Sequence, residues 1–239
     1  YTHVLCPGAD GTLNVGQSTY GDLCLHLGIA TGLFNAASPP EYTILPGTLL
    51  GYPFLMDAMS GSLYLMGMGL RWAFIIPGVL MSALVFWGFV MLAWELTHDA
   101  RAVLLCSALL FFNGGLGFIY VIDGAVGNPA AWNEVFTGFY KAPANLVDYN
   151  IRWVNVLVDM MLPQRTLLAG WTVVIPALWL LLRCVREKDT ALFVMLGVWA
   201  GTMPMIHTHS FLALGIISAA VMGCILWRSR NNLFPVLIK

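Results

Sequence analysis

Asp22 and His26 stand four residues apart in the stretch Tyr20–Tyr52, a spacing that puts both on one face of a helix. A carboxylate beside an imidazole can do acid–base work: one takes a proton while the other orients or shares it. The same pair could ligate a metal ion. The bland alternative is an interfacial helix whose polar face meets water and lipid headgroups. A rigid Pro39-Pro40-Glu41 turn follows, and Glu41 joins the candidates for substrate binding.

Further along, Asp148, Arg152, Asn155 and Asp159 recur at spacings of four, three and four, one stripe of a helix predicted over Leu146–Leu162. Such a helix can equally lie flat on a membrane with its charges solvated. Pro163-Gln164-Arg165-Thr166 stands at the mouth of the next apolar run. An arginine there can snorkel to headgroups, or clamp a phosphate with its planar fork. Arg152, Asp159, Gln164 and Arg165 are therefore candidate substrate-binding residues. So are His207 and His209, which flank Thr208 where Pro204 already weakens an apolar helix. Ionisable groups at membrane depth are expensive, and two with a broken helix call for a reason.

The elements that must hold these groups are membrane helices. The chain has 239 residues, 59% hydrophobic and 10% charged, against roughly 25% charged in an average soluble domain. A mean hydropathy of +0.79 marks an integral membrane protein. Net charge is −1, which offers no field for nucleic acid. The five cysteines have no CxxC spacing; Cys6 and Cys24 are the one plausible pair, and buried free thiols are the better expectation. Beginning at Tyr1, the chain reads as a piece of a longer protein, truncated at both ends.

An all-α, multi-pass bundle is expected, with residues 1–48 as an outer loop carrying a short amphipathic helix at Leu23–Phe34. Five apolar runs read as spans: Ala73–Leu96, Ala102–Ile122, Leu167–Leu182, Thr190–Ile206 and Phe211–Trp227. Leu49–Leu70, interrupted by Pro53 and Asp57, reads as a short or re-entrant helix. Arg183, Arg186 and Lys188, with Arg228 and Arg230, put their ends of the bundle in the cytoplasm. The turn at His98–Arg101 then shares that side, and residues 1–48, the inserted loop 123–166 and the His207–Ser210 break face outward.

Gly21-Asp22-x-x-x-His26, then Pro-Pro-Glu41, Pro46-Gly47, Tyr52-Pro53 and an apolar helix ending at Gly67/Gly69 before Arg71 resemble the opening of GT-C-type glycosyltransferases. That superfamily depends on polyprenyl phosphate and includes the dolichyl-phosphate-mannose protein mannosyltransferases. The resemblance covers residues 20–122 in order of elements. It implies a multi-pass enzyme of a bacterial or archaeal plasma membrane. Such an enzyme transfers a sugar from a polyprenyl-phosphate donor to a glycan, lipid or protein acceptor on the extracytoplasmic face. Asp22 would be the catalytic carboxylate with His26 beside it, and Arg152 and Arg165 would hold the donor phosphate. Where the family has a second adjacent acidic residue, this chain has Leu23, so a divalent cation is left open and no other cofactor is implied. The competing expectations are a transporter or lipid flippase using the same groups as a substrate path, and a structural subunit of a membrane complex. An enzyme needs the polar groups at one outer-facing cleft, a transporter midway.

Overall fold

The computed structural model describes residues 5–16, 20–33, 40–116, 119, 122, 126–127, 145–146, 151–152 and 155–229. It is mostly helical. A short hairpin, β1 (Leu5–Pro7) with β2 (Leu13–Val15), precedes α1 (Tyr20–Gly32) and α2 (Leu55–Leu65). Then come α3 (Leu70–Thr97) and α4 (Ala100–Phe111). β3 (Asn145–Leu146) and β4 (Ile151–Arg152) pair antiparallel, and a π-helical turn spans Val156–Met161. The chain continues through α5 (Arg165–Glu187), α6 (Thr190–Thr202), a 3₁₀ turn at Met203–Met205 and α7 (Thr208–Arg228).

α3 and α5 pack side by side as the centre of the bundle. Their core is Met81 and Val85 of α3 against Leu168, Ala169 and Ile175 of α5, closed by Phe111 and Met161. Both helices end alike. His98 (φ 49°) and Lys188 (φ 55°) take the left-handed conformation that stops a helix, and Asp99 and Asp189 then cap α4 and α6 with side-chain bonds to backbone N–H groups. Glu95 of α3 pairs with Arg186 of α5, so the two charged turns lie together and the two helices run parallel. At the opposite ends, Arg165 reaches the backbone of Phe74. From Phe74 to Glu95 along α3 is about 30 Å at 1.5 Å per residue, the thickness of a hydrocarbon core.

Among the described residues, three helices are long and apolar enough to cross a membrane: Leu70–Thr97, Arg165–Glu187 and Thr208–Arg228. The expectation of five is corrected. α4 has 12 residues and α6 has 13, or about 18–20 Å each at the helical rise, short of the ~20 residues a span needs. α4 stops before Asn113-Gly114-Gly115, where Asn155 Nδ2 donates to the carbonyls of Phe111 (3.0 Å) and Asn113 (2.7 Å). α6 gives way to the 3₁₀ turn at Pro204, which has no N–H to continue the ladder.

The helix expected over Leu146–Leu162 is corrected too. β4 pairs Arg152 with Asn145 in extended backbone, and among the described residues of that stretch only Val156–Met161 is helical. Leu49–Leu70 yields the 11-residue α2, too short to cross, turned into α3 by Gly67 at φ 94°. Asp123, Glu134, Lys141 and Asp148 of the expected outer loop lie outside the described residues. All five cysteines are free thiols, but only Cys184 is buried; Cys24 and Cys224 are exposed.

This geometry predicts that exposed Gly21 and Thr190 sit at opposite membrane faces. Single cysteines replacing them in a thiol-free chain should react with an impermeant maleimide from opposite sides. Labelling of both from one side would refute the arrangement. Gly21 suits the test, since a Cβ there meets nothing within 4 Å.

Candidate active site

α1 buries Leu23, His26 and Ala30, a stripe at spacings of three and four, while Asp22 in its first turn is exposed. Leu23 and Ala30 pack on Leu5 and Phe74. The stripe carries the imidazole of His26 inward with them, and it meets α2 rather than Asp22.

α2 presents Asp57, Ser60 and Gly61 on its buried side. Asp57 sits in the first turn, where the positive end of the helix dipole favours a carboxylate. Its Oδ2 lies 2.8 Å from His26 Nδ1, and both side chains are fully buried. Asp57 Oδ1 is 3.5 Å from Nε of Arg165, the first residue of α5. Arg165 also donates from Nη1 to the Phe74 carbonyl (3.0 Å) and from Nη2 to Ser60 Oγ (2.5 Å), with its guanidinium 4.2 Å above the Phe74 ring. A cation at a helix N-terminus opposes the dipole, and Asp57 offsets it. One carboxylate thus ties α1 to α5 through α2.

Tyr52 joins this group from the loop before α2. Its ring meets that of His26 edge-on, centroids 5.7 Å apart, and its hydroxyl is 3.2 Å from Thr166 Oγ1. Burial pushes the Tyr52 hydroxyl above its ordinary range; the Thr166 hydrogen bond opposes this, and the charges of Asp22 and Asp57 add to it. Beside Arg165 an apolar groove runs between Leu5, Leu23, Phe74, Ile75 and Leu162.

The other expected residues take the following places. His207 packs on α5 at Gly170, five residues from Arg165, and its Nδ1 is 2.7 Å from Ser210 Oγ. The His209 ring is 5.3 Å from it and exposed. Burial, and then His209, lower the His207 pKa. Glu41 Oε2 accepts from the N–H of Gly47 (3.1 Å) and closes its own loop. Asp159 Oδ2 accepts from the backbone N–H of Asn155 (2.7 Å), while Asn155 Oδ1 accepts from that of Leu157 (2.8 Å), a reciprocal cap of the π turn. Gln164 is exposed at the start of α5. Arg152 lies in β4.

The structure thus brings His26 and Arg165 together, through Asp57, and leaves Asp22 above them. Asp57, Ser60, Tyr52 and Thr166 are the members that the sequence reading did not select. Asp57 carried a signal: a lone carboxylate inside the apolar run Leu49–Leu70. Among the described residues no three His, Cys, Asp or Glu side chains converge on a metal position.

Gly170 supplies a local test. A Cβ there would come within 2.5–2.7 Å of the His207 ring and Cβ, so Gly170→Ala must displace the histidine break from α5. Gly170→Ala should lower the melting temperature measurably, while Gly197→Ala, which meets open space, should not. Equal melting temperatures would refute the close packing of His207 on α5. The chain matches no protein-family model, no curated protein and no solved structure.

Proposed function

We propose that this chain forms membrane-embedded structure of a glycosyltransferase that moves a sugar from a polyprenyl-phosphate donor to an acceptor hydroxyl on the extracytoplasmic face. The observation that carries the reading is the braced position of Asp22. It is exposed on the first turn of a helix that the His26–Asp57–Arg165 network locks to the bundle, at the end of α3 opposite the Glu95–Arg186 pair. A carboxylate held at an interface can accept the proton of an attacking hydroxyl. The hydroxyl oxygen displaces the lipid phosphate at the anomeric carbon, and the phosphate leaves with the electron pair. A single displacement inverts that centre.

Positive charge near the leaving phosphate supports the second half of the reaction. Arg165 carries such a charge at the start of α5, Gln164 stands at its mouth, His207 and exposed His209 offer hydrogen-bonding groups nearby, and Arg152 is the further cationic candidate. The described contacts of Arg165 go to protein groups, so its part is to hold Asp57 and to contribute field rather than to clamp the phosphate. The position of the His26–Asp57–Arg165 network at one end of the long helices, away from the Glu95–Arg186 pair at the other, favours the enzyme over the transporter. The experiment is sugar transfer by the full-length protein in bilayers, from a panel of polyprenyl-phosphate hexoses and pentoses to hydroxyl acceptors. No transfer across the panel would sink this reading.

A further inference from the structure

The buried pair His26–Asp57 has a consequence beyond bracing α1. Asp57 Oδ1 faces the Arg165 guanidinium at 3.5 Å, and a carboxylate paired with a cation accepts hydrogen bonds. The bond at 2.8 Å is therefore donated by Nδ1–H of His26. In a neutral imidazole the other nitrogen then carries a lone pair. That atom, Nε2, is fully buried and has no hydrogen-bond partner among the described residues. Buried polar atoms of native proteins are nearly always satisfied. A second proton on the ring would not repair this, because Nε2–H would face the same surroundings without an acceptor.

What completes such an atom is a donor brought by a ligand. The Tyr52 ring against the imidazole, centroids 5.7 Å apart, adds a partly exposed aromatic group. An aromatic face beside a fixed hydrogen-bond acceptor suits a pyranose or furanose, which offers a C–H face and hydroxyl donors together. We propose that His26 Nε2 and the Tyr52 ring form the subsite for the sugar of the donor, with Nε2 accepting from one sugar hydroxyl and Asp57 as the positioning residue that sets the tautomer. This rests on the glycosyltransferase reading for the identity of the ligand, though not for the tautomer.

Two measurements on the full-length protein in nanodiscs test it. The first is the ¹⁵N spectrum of labelled histidine, of which there are five residues, with His26→Gln giving the assignment. His26 should show the Nδ1–H tautomer with Nε2 unprotonated, and Asp57→Asn, whose amide can donate to Nδ1, should shift it toward Nε2–H. An Nε2–H tautomer in the wild type overturns the proposal. The second is equilibrium binding of polyprenyl-phosphate sugars against bare polyprenyl phosphate. Leaving a buried acceptor unpaired predicts roughly 10–100-fold weaker binding of the one monodeoxy donor that lacks the recognised hydroxyl. His26→Gln and Asp57→Asn should erase that discrimination, and Asp57→Glu should restore part of it. Full discrimination in His26→Gln, or none in the wild type, overturns the subsite. Should discrimination appear without any sugar transfer, the enzyme reading falls and the sugar site stands. Normal transfer without discrimination has the reverse meaning.

Discussion

Asp22→Asn lowers sugar transfer from a polyprenyl-phosphate donor by about 10²–10⁴-fold, the worth of general-base assistance, while donor binding is largely kept. The substitution preserves shape and removes the proton acceptor. Its structural effect is small, because Asp22 is exposed in the first turn of α1. A carboxylate lost from a helix N-terminus is worth about 0.3–1 kcal/mol, too little to unfold a braced helix. The effect should therefore fall on kcat, with the melting temperature nearly unchanged. Asp10→Asn at the tip of the β1–β2 hairpin, another exposed carboxylate, should leave transfer as it was. Transfer by Asp22→Asn within a few-fold of wild type would end the catalytic role of Asp22. Exposed substitutions elsewhere usually stay within about ±0.5 kcal/mol, so a solvated helix face predicts that null result.

The membrane helices around this site were legible because long apolar runs leave few options. α3 and α5 fall where the hydropathy puts them, and their charged turns share one end as the basic residues imply. Chain length alone could not separate α4 and α6 from full spans. Their ends are decided by Asn155 bonding the carbonyls after Phe111 and by Pro204, a tertiary and a local event inside runs that stay apolar. The pair Asp22–His26 failed for a related reason. Spacing puts two residues on one face, but which side of α1 turns inward is set by Leu23 and Ala30 packing on Leu5 and Phe74. His26 then meets a carboxylate 31 residues away in sequence. No periodicity in the first loop contains that partner, although an ionisable residue inside the run Leu49–Leu70 was the place to look for it.

Asp57→Ala should be the most destabilising single change at this end of the bundle, by about 3–5 kcal/mol, the cost of stranding a buried charge. Arg165 is 5% exposed and would lose its carboxylate while keeping its charge at the unfavourable end of α5. The His26 Nδ1–H would lose its acceptor as well, and α1 its tie to α2. Glu95→Gln makes the comparison. That pair with Arg186 joins the same two long helices, but Arg186 is half-exposed, and surface ion pairs contribute only about 0–1 kcal/mol. Thermal unfolding in detergent, followed by helical signal, should separate the two variants by well over the few degrees expected of Glu95→Gln. The sharper check is the double variant Asp57→Leu with Arg165→Met. Removing a whole buried ion pair for packed apolar side chains is often neutral, so it should recover much of the stability that Asp57→Ala loses while leaving His26 without its orienting carboxylate. Recovered stability with sugar discrimination still absent would separate what Asp57 does for the fold from what it does for the imidazole. A double variant no more stable than Asp57→Ala would mean that the carboxylate holds α1 and α2 by contacts other than its charge on Arg165.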